Sequence, residues 1–189
     1  MSFEKFQPNE ESSSSETVKT EKEQKWEEKL REVDKILDGK GEKVDAGVKE
    51  TVAAFNIHDL KTTGSCEGHL DGWGHLHPWI EISTPEPEGF DEVEDSKREE
   101  MGKEWEIKNL KQKIRLMPLL EEFYRNRDTS IDSRLSFQNL GSFGVFRVQS
   151  LGADVLKILP PEEQAQKREL YLKEMNDFAM FLKDKYLED

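Results

Sequence analysis

The chain has 189 residues, of which 37% are charged and 34% belong to the hydrophobic set. These proportions predict one domain with part of the chain outside its core. No apolar run approaches the roughly 20 residues that span a bilayer, and the N-terminus has no basic start followed by an apolar stretch. The composition therefore excludes an integral membrane protein. The single cysteine, Cys66, excludes an intrachain disulfide and fits a reducing, cytoplasmic location.

The net charge of −13 is unevenly distributed along the chain. Residues 1–24 hold six acids and three lysines, for a net −3, and residues 84–100 hold eight acids against two bases, for a net −6. The remaining residues therefore carry about −4. A mildly acidic body argues against a large nucleic-acid surface, because phosphate binding requires clustered Lys and Arg. A small basic patch in three dimensions stays open.

Residues 1–24 are rich in Ser, Glu and Lys, which is typical of a disordered arm. Residues 25–189 then form a single domain. Apolar residues at helical spacing predict helices over residues 25–38 and 43–56. The positions expected to be buried there are Trp26, Leu30, Val33, Leu37, Val44, Val48, Val52 and Phe55.

Short strands are predicted at residues 60–63 and 78–83, with a glycine-rich loop between them. Residues 84–95 read as a proline-rich acidic loop. A long helix follows over residues 96–126, with a kink or break expected at Pro118, which lacks a backbone donor. Its predicted apolar stripe consists of Met101, Trp105, Leu110, Ile114 and Met117.

Residues 133–150 alternate apolar and polar side chains around a glycine-containing turn, which predicts a β-hairpin. The last helix is expected to begin at Pro160-Pro161. Its buried stripe would contain Tyr171, Met175, Phe178, Leu182 and Tyr186. Together these elements predict an α+β fold with a small antiparallel or mixed sheet flanked by about four helices.

The segment TTGSCEGHLDGWGHLHPWIE, from Thr62 to Glu81, combines glycines, the cysteine and three of the four histidines. Cysteine and histidine are zinc ligands, and the C-x2-H and H-x-H spacings could supply four of them. The predicted metal ligands are Cys66, His69, His75 and His77. Carboxylates such as Glu67 could orient these ligands or act as a general base.

Three other interpretations of the same segment stay open. Cys66 could act as a nucleophile with a histidine such as His69 as its base. Alternatively, the loop could bind a small molecule without covalent chemistry, through hydroxyl groups, glycine amides and two flat tryptophan rings. The residues of that interpretation are Thr62, Thr63, Ser65, Gly68, Trp73 and Trp79. Finally, Cys66 could simply pack inside while the histidines lie at the surface. Asp45, which lies further upstream, reads as a cap of the second helix.

The run VDAGVKETVAAFNIHDLKTTGSCEGH, followed by PWIEI, resembles uncharacterised bacterial proteins with a TT-x-SCEGH signature before a PW-containing strand. The resemblance covers Val44 to Ile82, about a fifth of the chain, and is most specific in Thr62 to His69. It implies no established activity, so the interpretations drawn from the residue types and their spacing stay open.

A more distant resemblance is to the wybutosine-synthesising tRNA methyltransferase family. In that family a helix with an acid near its start and an asparagine near its end leads to TTSSCSGR. The matching residues here are Asp45, Asn56, Thr62, Thr63, Ser65, Cys66 and Gly68. This sequence departs from the pattern at His69, where the family has arginine, and at Gly64, where it has serine. The resemblance implies S-adenosylmethionine as cofactor and tRNA as partner, whereas the acidic body lacks an obvious basic face.

Overall fold

The computed structural model describes residues 19–71 and 74–188 and has the predicted α+β architecture. Its α-helices are α1 (Glu21–Val33), α2 (Lys49–Ile57), α3 (Asp95–Tyr124) and α4 (Pro161–Glu188). Its strands are β1 (Thr62–Cys66), β2 (Trp79–Ile82), β3 (Leu135–Asn139) and β4 (Phe146–Ser150). Within the described ranges, no helix is long and apolar enough to cross a membrane. Most of the N-terminal arm, residues 1–18, lies outside these ranges.

Helix α1 begins four residues before its predicted start and ends five residues before its predicted end. The early start follows from a capping box, in which the Thr20 side chain accepts from the Glu23 amide and Glu23 accepts from the Thr20 amide. After Val33 the chain leaves the helix, and Leu37 pairs with Lys43 in an isolated antiparallel bridge. The prediction that Leu37 is buried is therefore wrong, since the residue is 57% exposed.

The four strands form one antiparallel sheet in the order β1-β2-β4-β3. Strand β1 extends further than the predicted 60–63, so Gly64, Ser65 and Cys66 belong to the sheet rather than to a loop. The hairpin of β3 and β4 lies within residues 133–150, as predicted. Ile80 of β2 and Val148 of β4 are fully buried and face the helices.

The hydrophobic core lies between this sheet and the four helices, with α3 contributing Leu116, Leu120 and Phe123. The α4 stripe is confirmed at its centre, where Tyr171, Met175, Phe178 and Leu182 are buried, whereas Tyr186 is only partly covered. The rings of Phe55 on α2 and Phe178 meet edge-on at 5.9 Å. The two helices thus form a rigid layer behind β1 and β2.

The predicted apolar stripe of α3 is wrong at three of its five positions, while Met101 and Trp105 are partly buried. Leu110, Ile114 and Met117 are exposed, by 40%, 66% and 53%. The buried face combines Leu116, Leu120 and Phe123 with two polar residues. Asn109 accepts from the Thr84 amide at 2.6 Å, and Gln112 accepts from the Lys61 amide at 2.6 Å. Helix α3 therefore packs by satisfying the backbone of the loops around β1 and β2 as well as by apolar contact.

Pro118 lies inside α3, so the helix does not break there. The residue is exposed, and the carbonyl that loses its intrahelical partner lies on a face that water can reach. The predicted acidic loop after β2 also contains structure, because Phe90 is buried in a short 3₁₀ turn, where its ring contacts those of Trp105 and Phe143.

Candidate metal centre

Asp45, Cys66 and His69 form a cluster of metal-ligating side chains. One carboxylate oxygen, the thiol sulfur and one imidazole nitrogen all lie within 4.8 Å of one another. His69 Nε2 is 3.3 Å from Asp45 Oδ2. Cys66 is buried, while the side chains of Asp45 and His69 are 29% and 34% exposed. The cluster therefore sits at the boundary between the interior and solvent, where an ion could enter.

A tight turn after β1 brings Cys66 and His69 together. Gly68 has φ of +83°, a conformation that favours glycine, and its amide donates to Cys66 Sγ at 3.3 Å. A side chain at this position would meet the Leu76 carbonyl oxygen at 2.8 Å. The His69 amide then donates to the His75 carbonyl at 2.7 Å, which closes the loop. Gly68 thus allows the turn after β1 to pass close to the backbone of Leu76 and His77.

Asp45 reaches the cluster from the segment before α2. Asp45 occupies the N-cap position of the short 3₁₀ turn before α2, as the sequence predicts, but its carboxylate makes no capping hydrogen bond there. Instead, Asp45 Oδ2 accepts from the Glu67 amide at 3.0 Å. This bond ties the start of α2 to the end of β1. Spacing along the chain gives no signal for the contact, although the methyltransferase resemblance includes Asp45 among its matching residues.

Burial raises the pKa of the Cys66 thiol. The Asp45 and Glu67 carboxylates add to that rise, while hydrogen bonds from the backbone at Gly68 and His75 oppose it. A nucleophilic cysteine requires the opposite shift, toward a stable thiolate. The raised pKa therefore argues against a free thiolate that attacks a substrate unaided.

The cluster opens into a cleft of about 700 Å³. One wall is formed by residues 36–45, between α1 and α2, and the other by β1, Trp79 and the loop that follows β1. The wall from residues 36–45 contributes apolar side chains, the cations Lys40 and Lys43, and the acids Asp38, Glu42 and Asp45. This volume suits a small molecule.

His75 and His77 are not among the converging side chains in the described residues, although His75 lines the same cleft. Their rings are 5.5 Å apart, so the H-x-H pair is adjacent, but it faces Trp79 and Arg147. His75 Nε2 is 3.3 Å from an Arg147 guanidinium nitrogen. Burial lowers the pKa of both imidazoles, and the Arg147 charge adds to the effect at each. The structure thus brings together two of the four predicted ligands, with Asp45 as the third group.

Trp79, a predicted binding wall, is half-buried on the sheet face away from the helices. The Arg147 guanidinium lies over its ring at 3.7 Å and also pairs with Glu81. The ring runs close to Gly64, where any side chain would meet it at 3.1 Å. Trp79 therefore offers the cleft part of its ring, while Arg147 occupies one face. Trp73, the other predicted wall, lies outside the described residues.

The threonines of β1 have separate partners. Thr62 exchanges hydrogen bonds with Asn56 at the end of α2, through its hydroxyl at 2.9 Å and its amide at 3.4 Å. Thr63 donates its hydroxyl to Glu81 at 3.2 Å. Thr63 and Ser65 also line the cleft, so with Trp79 three of the predicted ligand-binding residues border the space beside the cluster.

Glu67, predicted as a possible general base, directs its carboxylate elsewhere. It accepts from the Gly47 amide at 2.7 Å, and Arg168 on α4 lies 3.5 Å from its other oxygen. Arg168 also donates to the Gly68 carbonyl at 2.6 Å. Nothing in the sequence around Arg168 predicts this contact, because a single arginine on a charged helix has no local pattern that indicates its partners.

Comparison with protein-family models, with curated proteins and with solved structures gave no match for this chain.

Proposed function

We propose that the chain binds a divalent transition-metal ion, zinc by the chemistry of its ligands, through Asp45, Cys66 and His69. We further propose that the ion acts on a small molecule bound in the adjoining cleft. The observation that carries the proposal is the convergence of three different ligand types within 4.8 Å of one another. The three residues come from two separate segments of the chain, so their meeting depends on the fold.

The spacing of the cluster supports this proposal. Zinc binds carboxylate oxygen and imidazole nitrogen at about 2.0–2.1 Å, which places two such ligands about 3.3 Å apart in a tetrahedral site. Asp45 Oδ2 and His69 Nε2 are 3.3 Å apart. The thiol sulfur lies within 4.8 Å of a carboxylate oxygen of Asp45 and of an imidazole nitrogen of His69, so a small side-chain adjustment would complete the set.

The identity of the donors favours particular metals. Thiolate and imidazole groups select zinc and its neighbours over magnesium and calcium, which prefer oxygen ligands alone. One cysteine, one histidine and one carboxylate form a mixed set of this kind. We therefore expect micromolar or tighter zinc binding, with magnesium unable to compete at millimolar concentration.

Three protein ligands leave one position of a tetrahedral ion open, as in zinc enzymes, whereas structural sites use four. That position would face the cleft. An ion there would polarise a bound water or a carbonyl or phosphoryl oxygen of the substrate. The chain's own contribution is to orient the three ligands and to enclose a space beside them that is lined by Thr63 and Ser65.

The decisive experiment is metal titration of chelator-treated full-length protein. Zinc affinity is measured by competition with a chromophoric chelator, and cobalt(II) is used to record the near-ultraviolet charge-transfer band of a thiolate ligand. Cys66→Ser should abolish that band. Asp45→Asn and His69→Ala should weaken zinc binding by more than roughly 10–100-fold, the loss typical for a residue that only hydrogen-bonds to a metal ligand. Wild-type protein that binds neither ion would sink the proposal.

A matched control separates coordination from general attraction to the acidic cleft. Asp38 lines the same cleft, and its carboxylate accepts two backbone amides that an asparagine oxygen can also accept. Asp38→Asn removes the same charge as Asp45→Asn and should leave zinc affinity unchanged. His75→Ala and His77→Ala should also retain zinc, whereas loss of zinc in both would favour the four-ligand set of the sequence analysis.

A second candidate is an S-adenosylmethionine-dependent activity related to tRNA modification, as the more distant resemblance implies. Two contacts support it, because matching residues interact: Asn56 with Thr62 and Asp45 with the backbone that follows Cys66. Thermal stabilisation by S-adenosylmethionine, together with tRNA binding that weakens as salt rises, would support this activity. Absence of both at low salt would remove it.

A further inference from the structure

Glu67 lies directly after Cys66, yet it is not one of the three converging ligands in the described residues. Its backbone amide donates to Asp45 Oδ2 at 3.0 Å, and its carboxylate accepts from the Gly47 amide at 2.7 Å. One residue therefore holds the Asp45 segment at two points. Both bonds cross between β1 and the start of α2.

The fit around the Glu67 carboxylate is close. A Cβ at position 47 would lie 2.6 Å from Glu67 Oε2, so only glycine at this position leaves room for the carboxylate. The Glu67 side chain is only 26% exposed. A charged group in this position requires partners, because burying a carboxylate without them costs free energy.

Arg168 of α4 provides the second anchor. Its Nε donates to the Gly68 carbonyl at 2.6 Å, and its terminal nitrogen lies 3.5 Å from the Glu67 carboxylate. The Arg168 side chain is 21% exposed. Arginine can make both contacts from one planar group, whereas lysine can make only a single point contact. Arg168 thereby connects the turn that carries Cys66 and His69 to helix α4, which lies about a hundred positions further along the chain.

We propose that Glu67 and Arg168 are positioning residues of the metal site. They hold the Asp45 segment and the Cys66 turn in register, so that three ligands from different segments stay within coordinating distance before an ion arrives. This inference rests on the proposed metal binding. Partners that orient metal ligands typically affect metal affinity 10–100-fold.

Two pairs of variants test the positioning role in the full-length protein. Glu67→Ala removes the acceptor for the Gly47 amide, whereas Glu67→Gln keeps a neutral oxygen there and should restore most of the zinc affinity. Arg168→Met removes both contacts, whereas Arg168→Lys can still donate to the Gly68 carbonyl. Zinc affinity should fall about 10–100-fold in the first variant of each pair. It should recover mostly in Glu67→Gln and only in part in Arg168→Lys, which keeps one of the two contacts.

A control separates positioning from general stability. Glu122→Gln weakens another ion pair to α4, at Lys185, far along the helix from Arg168. Stability is measured by urea unfolding of the metal-free proteins. We expect Glu122→Gln to keep the wild-type zinc affinity and cobalt(II) spectrum. We expect Glu67→Ala to shift the cobalt(II) absorption bands, because a change in ligand geometry alters them while a loss of global stability alone does not.

The outcomes separate the two proposals. If the wild type binds zinc and folded Glu67→Ala and Arg168→Met bind it equally well with unchanged spectra, the positioning role is overturned while the metal site stands. If the wild type binds no metal, the metal site itself is overturned and the positioning role with it. Should Arg168→Met fail to fold, the comparison of Glu67→Ala with Glu67→Gln decides alone.

Discussion

Replacement of Gly68 by alanine should damage the fold and the site together. Gly68 has φ of +83°, and a Cβ there would lie 2.8 Å from the Leu76 carbonyl oxygen and 2.9 Å from the His77 carbonyl carbon. The left-handed backbone costs an L-residue about 1–2 kcal/mol. The contact adds an overpacking cost of about 1–3 kcal/mol, because the neighbouring atoms are backbone and cannot swing away.

Gly89 provides the matched control for this change. It has φ of +70°, and a Cβ there would meet nothing within 4 Å. Gly89→Ala should therefore lose about 1–2 kcal/mol of unfolding free energy, and Gly68→Ala about 2–5 kcal/mol. The difference between the two variants isolates the steric contact from the conformational strain.

The assay is urea unfolding followed by far-ultraviolet circular dichroism, with zinc titration of the folded variants. Gly68→Ala should also weaken zinc binding at least about tenfold, because the turn that orients His69 must shift. Gly89→Ala should bind zinc as the wild type does. Equal stability of the two variants, or wild-type zinc affinity in Gly68→Ala, would refute the role given to this turn.

Three further changes probe the scaffold. Phe178→Ala should reduce the free energy of unfolding by about 3–5 kcal/mol, because the ring is fully buried between helices and sheet; urea unfolding measures the loss. Tyr124→Phe should cost about 1–3 kcal/mol in the same assay, since the Tyr124 hydroxyl accepts from the Leu135 amide at 2.7 Å. The Lys167 ammonium, hydrogen-bonded to Asp132, lowers the pKa of that carboxyl. The contribution of this pair to the free energy of unfolding should therefore be complete above the usual aspartate pKa and disappear as pH falls through the lowered pKa. The difference in unfolding free energy between wild type and Asp132→Asn should narrow in acid, which urea unfolding at several pH values measures.

Apolar periodicity succeeded where the packing of a helix is apolar. The spacing of Met175, Phe178 and Leu182 predicted the inner face of α4, and all three are fully buried. The same reasoning failed for part of α3, where Asn109 and Gln112 share the inner face with Leu116, Leu120 and Phe123. A hydropathy pattern assigns such polar residues to solvent, because it does not register that their amide groups bond to loop backbone.

The candidate site shows a similar division. Residue types and clustering singled out Cys66 and His69, which do meet in space. Asp45 lies 21 positions before Cys66 on a different element, and spacing alone treats it as a helix cap. Arg168 is about a hundred positions further along the chain. Contacts over such separations are set by how the helices pack on the sheet, and a single sequence does not encode them in any local pattern.

The contact of Arg168 with the turn after β1 has a consequence for biosynthesis. Arg168 and Glu67 are 101 positions apart, so their contact is strongly non-local and forms only after most of the chain is available. Chains emerge from the ribosome from the N-terminus, so Asp45, Cys66 and His69 are released long before the helix that braces them. A nascent chain would then present the three ligands without their anchor, and capture of an ion with full affinity would wait until α4 has docked.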